Sequence, residues 1–322
     1  MELPPRLRQA VDSALEGVAL SDLTAAARAL SLRYRNEVRD GRLHIADERL
    51  ALAYIATRMP ATYAAVHASL AAAAARQPDF APRTALDAGA GPGTVLWAAS
   101  AVWPELASIT LLEASPAIRA VGEKLSAASS LAHIDWRHVD VTRNAGRLAP
   151  NDLVTLAYVL DELSADQRDK LVDRLWSLTS GMLMIVEPGT TAGWRRILDA
   201  RRQLIAAGAN ILAPCPHQLA CPIAQPDWCH FSARVARSRV HRVAKEADVP
   251  WEDEKFIYIA ASRTPAASHP ARVLAPPDTA SGRVRLKLCR PDGVAETRLV
   301  TRREGDVFKQ ARRRDWGDVL EI

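Results

Sequence analysis

The chain has 322 residues, of which 48% are hydrophobic and 25% charged, with a formal net charge of +5. That is enough apolar material for a full core and excludes wholesale disorder. No apolar run approaches the roughly 18 residues needed to span a bilayer, which argues against a membrane partner.

The opening residues, MELPPRLRQAVDSALEG, have no hydrophobic signal core, and their acids argue against a transit peptide. The expectation is a cytoplasmic protein, taken as a monomer, with its cysteines reduced. Of 42 basic residues only six are lysine: Lys124, Lys170, Lys245, Lys255, Lys287 and Lys309. The rest are arginine, whose planar fork matches phosphate oxygens, although a GC-rich coding sequence gives the same bias.

Residues 1 to about 80 read as a helical region. Ser21-Asp22 is a candidate cap for LTAAARALSLRYRNE, with Leu23, Ala26, Ala27 and Leu30 on one face. Glu48 to Met59 and Ala61 to Ala75 continue the pattern, with Pro60 at the junction. Arg33, Arg35 and Arg58 are candidates for phosphate contact or for ordinary ion pairing.

Residues 81–263 alternate strands and helices. Strands are predicted at Thr84–Ala88, Ser108–Glu113, His133–Val139, Leu153–Leu160 and Met182–Val186, and helices at Val95–Val102, Ile118–Ala128 and Ala165–Leu178. Such alternation implies an α/β fold with a mostly parallel, doubly wound sheet. An arginine-rich helix follows Trp194 to about Ala207, then a cysteine-rich insertion at about 208–232. Ser232–Ala247 reads as one helix and Lys255–Ser262 as a strand. Residues 264–322 form the last region. Thr264–Ser281, rich in proline and alanine, reads as a linker or long loop. Arg283–Leu288 and Thr297–Thr301 flank the turn Arg290-Pro-Asp-Gly293 as a hairpin.

The first strand feeds the glycine turn Asp87-Ala-Gly-Ala-Gly-Pro-Gly93, in which Gly89, Gly91 and Gly93 let a ligand approach the backbone. An acid inside the turn, Asp87, disfavours a pyrophosphate and suits the cationic, phosphate-free S-adenosylmethionine. Glu113, ending the second strand, is placed for both ribose hydroxyls, and Asp140, ending the third, for the adenine amino group. Together they describe a class I S-adenosylmethionine methyltransferase-like sheet. Asp161 and Glu162, after the fourth strand, are the candidates for a catalytic base; as acids at a helix start they also suit the helix dipole. The Asn/Asp-Pro-Pro-aromatic run of amino-methylating enzymes is replaced by Ala157-Tyr-Val-Leu-Asp-Glu162.

All four cysteines fall in a C-x5-C-x7-C-x59-C pattern: Cys215, Cys221 and Cys229 within CPHQLACPIAQPDWCHF, and Cys289 in LKLCRPDG. Thiolates hold zinc or iron–sulfur clusters. The wide gaps and the neighbouring Pro214, Pro216 and Pro222 suit a loop around a bulky cluster, while His217 and His230 keep zinc open. Arg234, Arg237, His241 and Lys245 recur at helical spacing after the third cysteine, with Arg239 and Arg242 nearby. That stripe, and Arg312, Arg313 and Arg314 in the segment from Lys309 to Gly317, are candidates for a nucleic-acid backbone.

CPHQLACPIAQPDWCHFSARV, LCRPDG, ARRRDWGD and YIATRMPATYAAV together resemble the Rsm22 family, over roughly residue 50 to the C-terminus. The resemblance implies a methyltransferase-fold protein with a metal-binding C-terminal extension that associates with the small ribosomal subunit, aids its assembly and binds its ribosomal RNA. It implies a 4Fe–4S cluster on Cys215, Cys221, Cys229 and Cys289, and S-adenosylmethionine along Asp87 to Gly93. An active ribosomal-RNA methyltransferase and a zinc-stabilised RNA-binding module are the alternatives. With no mitochondrial leader visible, the resemblance is to a bacterial-type member.

Overall fold

The computed structural model describes residues 1–36, 43–143 and 148–321. Four helices come first: α1 (Pro5–Ala14), α2 (Leu20–Arg35), α3 (Glu48–Thr57) and α4 (Met59–Ala74). Leu23, Ala26, Ala27 and Leu30 are buried on one face of α2, as their spacing requires. Its start differs from the expectation. The helix begins at Leu20 behind Ala19 with no side-chain cap, so Ser21 and Asp22 lie inside its first turn. Glu37, the last residue expected in that helix, falls outside the described residues. Asp47 caps α3, accepting from the Leu50 N–H at 2.8 Å. Pro60 sits in the first turn of α4, where a missing N–H breaks no helical bond.

The central sheet is built from β1 (Thr84–Ala88), β2 (Ser108–Glu113), β3 (His133–His138), β4 (Asn151–Ala157) and β5 (Thr179–Pro188), paired in parallel. Between them run α5 (Thr94–Val102), α6 (Pro116–Ser126) and α7 (Ala165–Ser177), and α8 (Thr191–Ala206) follows β5. Three caps fix helix starts: Ser115 on α6, Ser164 with Gln167 as a capping box on α7, and Thr190 on α8. Next come β6 (Asn210–Ala213), β7 (Phe231–Ala236), α9 (Arg239–Ala244) and β8 (Trp251–Ser262). β8 lies antiparallel between β5 and β6 and also takes β7 on its first half, so the order is β3-β2-β1-β4-β5-β8-β6. The sheet is therefore mixed.

Two expectations fail here. Ser232–Ala247 is not one helix but β7, a cap at Ser238 and the short α9. Phe231 and Val235 are buried while Arg234 and Ala236 are exposed, a strand period that the arginine spacing masked. The supposed linker contains β9 (Ala271–Val273) and β10 (Asp278–Ala280). With β11 (Arg283–Cys289), β12 (Ala295–Thr301) and β13 (Val319–Leu320) these form a second sheet, ordered β10-β11-β9-β13 with β12 on β11. α10 (Asp306–Ala311) covers it, and Val273, Val284, Leu286, Leu288, Val300 and Phe308 form its core.

The glycine turn closes against β4. Gly89 has φ +71°, and a Cβ there would lie 2.5 Å from Val159 Cγ2. Gly89→Ala combines backbone strain with overlap and is expected to cost about 1–3 kcal/mol. Urea unfolding would show this as a lowered midpoint with an unchanged slope; an unchanged midpoint contradicts it.

Candidate functional site

A cavity of about 450 Å³ opens at the carboxyl ends of β1, β2, β3 and β4, lined among others by Tyr34, Tyr54, Gly91, Glu113, Asp140, Tyr158 and Glu162. This is where open α/β sheets bind ligands. Both Glu113 oxygens accept from backbone: Oε2 from Gly91 N and Oε1 from Ser115 N, each at 2.7 Å. Glu113 thus holds the glycine turn in place and keeps further lone pairs toward the cavity. Gly91 has φ +56°, and a Cβ at this position would meet nothing within 4 Å, so its bare face is open to a ligand. Asp140 accepts from Thr142 N at 2.9 Å and Thr142 Oγ1 at 2.6 Å, which fixes its carboxylate at the cavity edge.

Below the turn Asp87 is 1% exposed. Its Oδ1 accepts from Thr155 Oγ1 at 2.7 Å, while Oδ2 has no partner. Burial pushes its pKa up to about 7, with Thr155 opposing and Glu113 adding. Glu162 is open to water within the cavity yet walled by protein. Burial, then Asp161, Glu113 and Glu187, push it up to about 8. Asp161 is buried and is not part of the cavity lining. Of the two candidate bases, only Glu162 reaches the cavity.

Several cavity residues escaped the sequence reading. Tyr158 directly follows β4 with φ +58°, unusual for a bulky residue. Its hydroxyl donates to Glu254 Oε1 of β8 at 2.9 Å. Tyr34 packs on His44 with ring centroids 5.0 Å apart and under the Arg58 guanidinium at 5.1 Å. Arg58 therefore meets an aromatic face at the cavity's helical wall. These contacts join distant segments, and no local motif announces them.

The four cysteines line one narrow apolar cavity of about 30 Å³, with Arg201, His217 and Arg272 in its wall. All four are free thiols. Cys215, Cys221 and Cys229 come from the loop after β6, and Cys289 ends β11, paired with Arg272 and Ala295. His217 Nε2 lies 3.4 Å from Cys289 Sγ, and its Nδ1 has no partner. Burial raises the thiol pKa of Cys215 and Cys229 and pushes Cys289 up to about 12. Among the described residues no three His, Cys, Asp or Glu side chains stand in single-ion coordination. Around the loop, Trp228 stacks on His230 at 5.0 Å and Trp316 meets His230 edge-on at 4.9 Å. Trp228 donates to Gly189 O and Trp316 to His230 O, each at 3.0 Å.

The supposed basic stripe is rearranged. Arg234, on β7, forms a two-pronged pair with Asp253 at 2.8 and 2.9 Å. Arg237 and Lys245 converge on Glu252 at 3.0 and 2.8 Å. His241, 1% exposed, lies 3.3 Å from Glu252 without hydrogen-bond alignment. Burial alone would raise Glu252, but His241 and Lys245 outweigh it and hold the carboxyl well below its usual range. Arg312 and Arg313 are exposed just past α10; Arg314 is half-buried with its Nε unpartnered.

The strand order, with an antiparallel strand inserted beside β5 and the acid-bearing glycine turn after β1, defines a class I S-adenosylmethionine methyltransferase-like fold. Residues 48–321 match the family model described as "Mitochondrial small ribosomal subunit Rsm22", and the chain belongs to that family. It is 32% identical over 294 residues to the human "Ribosome assembly protein METTL17, mitochondrial", covering 85% of this chain and 63% of the relative. It is 25% identical over 323 residues to the fission-yeast "Rsm22-cox11 tandem protein 2, mitochondrial", covering 84% of this chain and 43% of the relative. The chain thus spans less than two thirds of either relative. Among solved structures it is similar to the magnesium protoporphyrin IX methyltransferase of Synechocystis, at 14% identity and TM-score 0.42 over 76% of this chain and 100% of that one. These relatives overturn one expectation. The family and its human and yeast members are described as mitochondrial, so the cytoplasmic assignment, drawn from the first residues alone, does not stand.

Glu252→Gln is expected to destabilise the fold by about 1–3 kcal/mol at neutral pH, since it leaves Arg237 and Lys245 without their counter-charge. Glu252 has a depressed folded pKa, so its contribution is present above the ordinary glutamate pKa, about 4.3, and fades as pH falls below it. Chemical unfolding between about pH 3 and 7 should show the wild-type advantage shrinking only at the acid end. A pH-independent difference contradicts this assignment.

Proposed function

We propose that this chain is a ribosome-assembly factor that binds small-subunit ribosomal RNA, takes S-adenosylmethionine in the strand-end cavity and carries a 4Fe–4S cluster on Cys215, Cys221, Cys229 and Cys289. The observation that carries the reading is the presence, on one methyltransferase-type sheet, of an acidic nucleoside-sized cavity and a separate cavity walled by every cysteine in the chain. Family membership supports the ribosomal assignment.

The acidic cavity suits a cation. Glu113, Asp140 and Glu162 line it and Asp87, with an orphaned Oδ2, lies beneath. A sulfonium and an ammonium would offset that charge, whereas a pyrophosphate would be repelled. Within the cavity Glu113 is placed to receive the ribose hydroxyls. Glu162, which lines the cavity and is pushed up to about 8 by burial, also suits a general base, and that observation favours RNA methylation as the second reading. Transfer of label from S-adenosylmethionine to small-subunit RNA, abolished by Glu162→Gln, would select it.

The donor set fits a thiophilic centre. Four free thiols face one cavity, and among the described residues two nitrogens in its wall, Arg201 Nε and His217 Nδ1, lack hydrogen-bond partners. When bound, a cluster would supply a covalent tie between the loop after β6 and β11. Metal binding would release the thiol protons that burial holds on Cys215, Cys229 and Cys289. For RNA, the exposed Arg239, Arg242, Arg312 and Arg313 are candidate phosphate donors, with Arg234 near the first two in sequence. Arg237, His241 and Lys245 brace α9 from within.

Two outcomes follow. Carboxyls with raised folded pKa values bind protons in the folded state, so the ligand-free protein loses stability as pH rises through about 7–8. A cationic ligand favours their ionised forms, so binding should release protons. Calorimetry in buffers of different ionisation heat should show that release near pH 7, reduced in Glu162→Gln; equal heats across buffers contradict it. For RNA, Arg312→Gln with Arg313→Gln should lower the salt slope of binding by roughly one to two. Arg237→Gln should lower stability and leave the slope unchanged. The reverse pattern would place Arg237, rather than Arg312 and Arg313, against the RNA.

A further inference from the structure

The cysteine cavity holds an imbalance of charge. Arg201, on α8, is 3% exposed, and Arg272, on β9, is 4% exposed. Buried guanidiniums ordinarily sit against carboxylates. Among the described residues neither forms an ion pair. Arg201 Nη2 donates to His217 O at 2.7 Å and Leu219 O at 2.8 Å, while its Nε has no partner. Arg272 donates from Nε to Pro214 O at 3.0 Å and from Nη1 to Gly317 O at 2.7 Å. Carbonyl oxygens orient a guanidinium but do not neutralise it. Three of those four acceptors belong to the segment carrying the first cysteines, so both cations are aimed at that loop. Among the described residues nothing in the wall of the cavity is a carboxylate: its remaining members are apolar or aromatic side chains, His217 and the four cysteines.

We propose that Arg201 and Arg272 are the charge-balancing partners of a centre held by all four cysteines as thiolates, and that they select this centre over one using His217. The inference rests on the reading of the cysteines as metal ligands. Four thiolates around a divalent zinc, or around an oxidised 4Fe–4S core of the same charge, leave two negative charges in excess. Two guanidiniums match that excess. Three thiolates with neutral His217 would leave one arginine uncompensated. The orphaned Arg201 Nε supplies a donor for a ligand or cluster sulfur, and such outer contacts orient ligands and tune the metal. These are positioning residues, since they act through the sulfurs.

The test compares anaerobically prepared wild type with Arg201→Gln, Arg272→Gln and the corresponding lysine variants. Three properties are read: metal content, rate of metal loss to a chelator and, where iron is present, the midpoint potential. Each Gln variant should lose metal about tenfold faster or more. Its potential should fall, because removing a positive charge disfavours the more negative reduced state. The lysine variants keep the charge without the carbonyl fork and should stay close to wild type in potential. His217→Gln should retain the metal. Gln and Lys variants that behave alike would show that carbonyl bracing alone is the role, and Gln variants equal to wild type in both rate and potential would exclude any; either overturns this proposal while leaving the metal reading intact. Wild-type protein without any bound metal overturns both.

Discussion

The long antiparallel strand β8 is the constraint on which the two sites depend. Its alternating residues Glu252, Glu254, Phe256 and Tyr258 reach three different regions on one strand period. Glu252 gathers Arg237 and Lys245 and fixes α9. Glu254 accepts from Tyr158, which follows β4 and lines the strand-end cavity. Tyr258 lines the cysteine cavity. On its two edges β8 joins β5 to β6 and β7. The strand therefore sets the separation of the acidic cavity from the thiols, and a slip of one residue would turn all three side chains to the other face.

The two cavities differ in what they ask of a ligand. The strand-end cavity concentrates carboxyls at low dielectric, which raises their proton affinity and favours a cation. The cysteine cavity has the opposite sign: two buried guanidiniums stand among four free cysteines. One fold thus holds two separate cavities of opposite electrostatic character. Between them runs a packed path through Trp228, which donates to Gly189 at the end of β5, and Gly189 N, which donates to Lys255 O beside Glu254.

Most of the central sheet was legible in the sequence because short apolar strands between capped helices leave few alternatives. β1 and β2 fall where their residues predict, and Asp87, Gly89, Gly91 and Glu113 meet at the strand ends. The cysteines were legible as a group because spending every cysteine in one constellation is itself a signal. The β7–α9 segment was not, since arginines at spacing three to four imitate a helical face while Phe231 and Val235 alternate as a strand. β9 was hidden by flanking prolines, although Ala271, Arg272 and Val273 are buried. Tyr34, Tyr158, Arg201 and Arg272 owe their roles to partners far along the chain, which no local pattern encodes.

The proposed role of the cysteine cavity depends most on the four sulfurs acting as ligands to one iron–sulfur centre. Counting iron and acid-labile sulfide per chain, in anaerobically purified wild type beside Cys289→Ser, tests this most directly. The expected result is about four of each in the wild type, with a visible absorption band, and their loss in Cys289→Ser with the β1–β5 sheet still folded. Colourless wild-type protein free of iron and sulfide, whether it holds zinc or no metal, would contradict it.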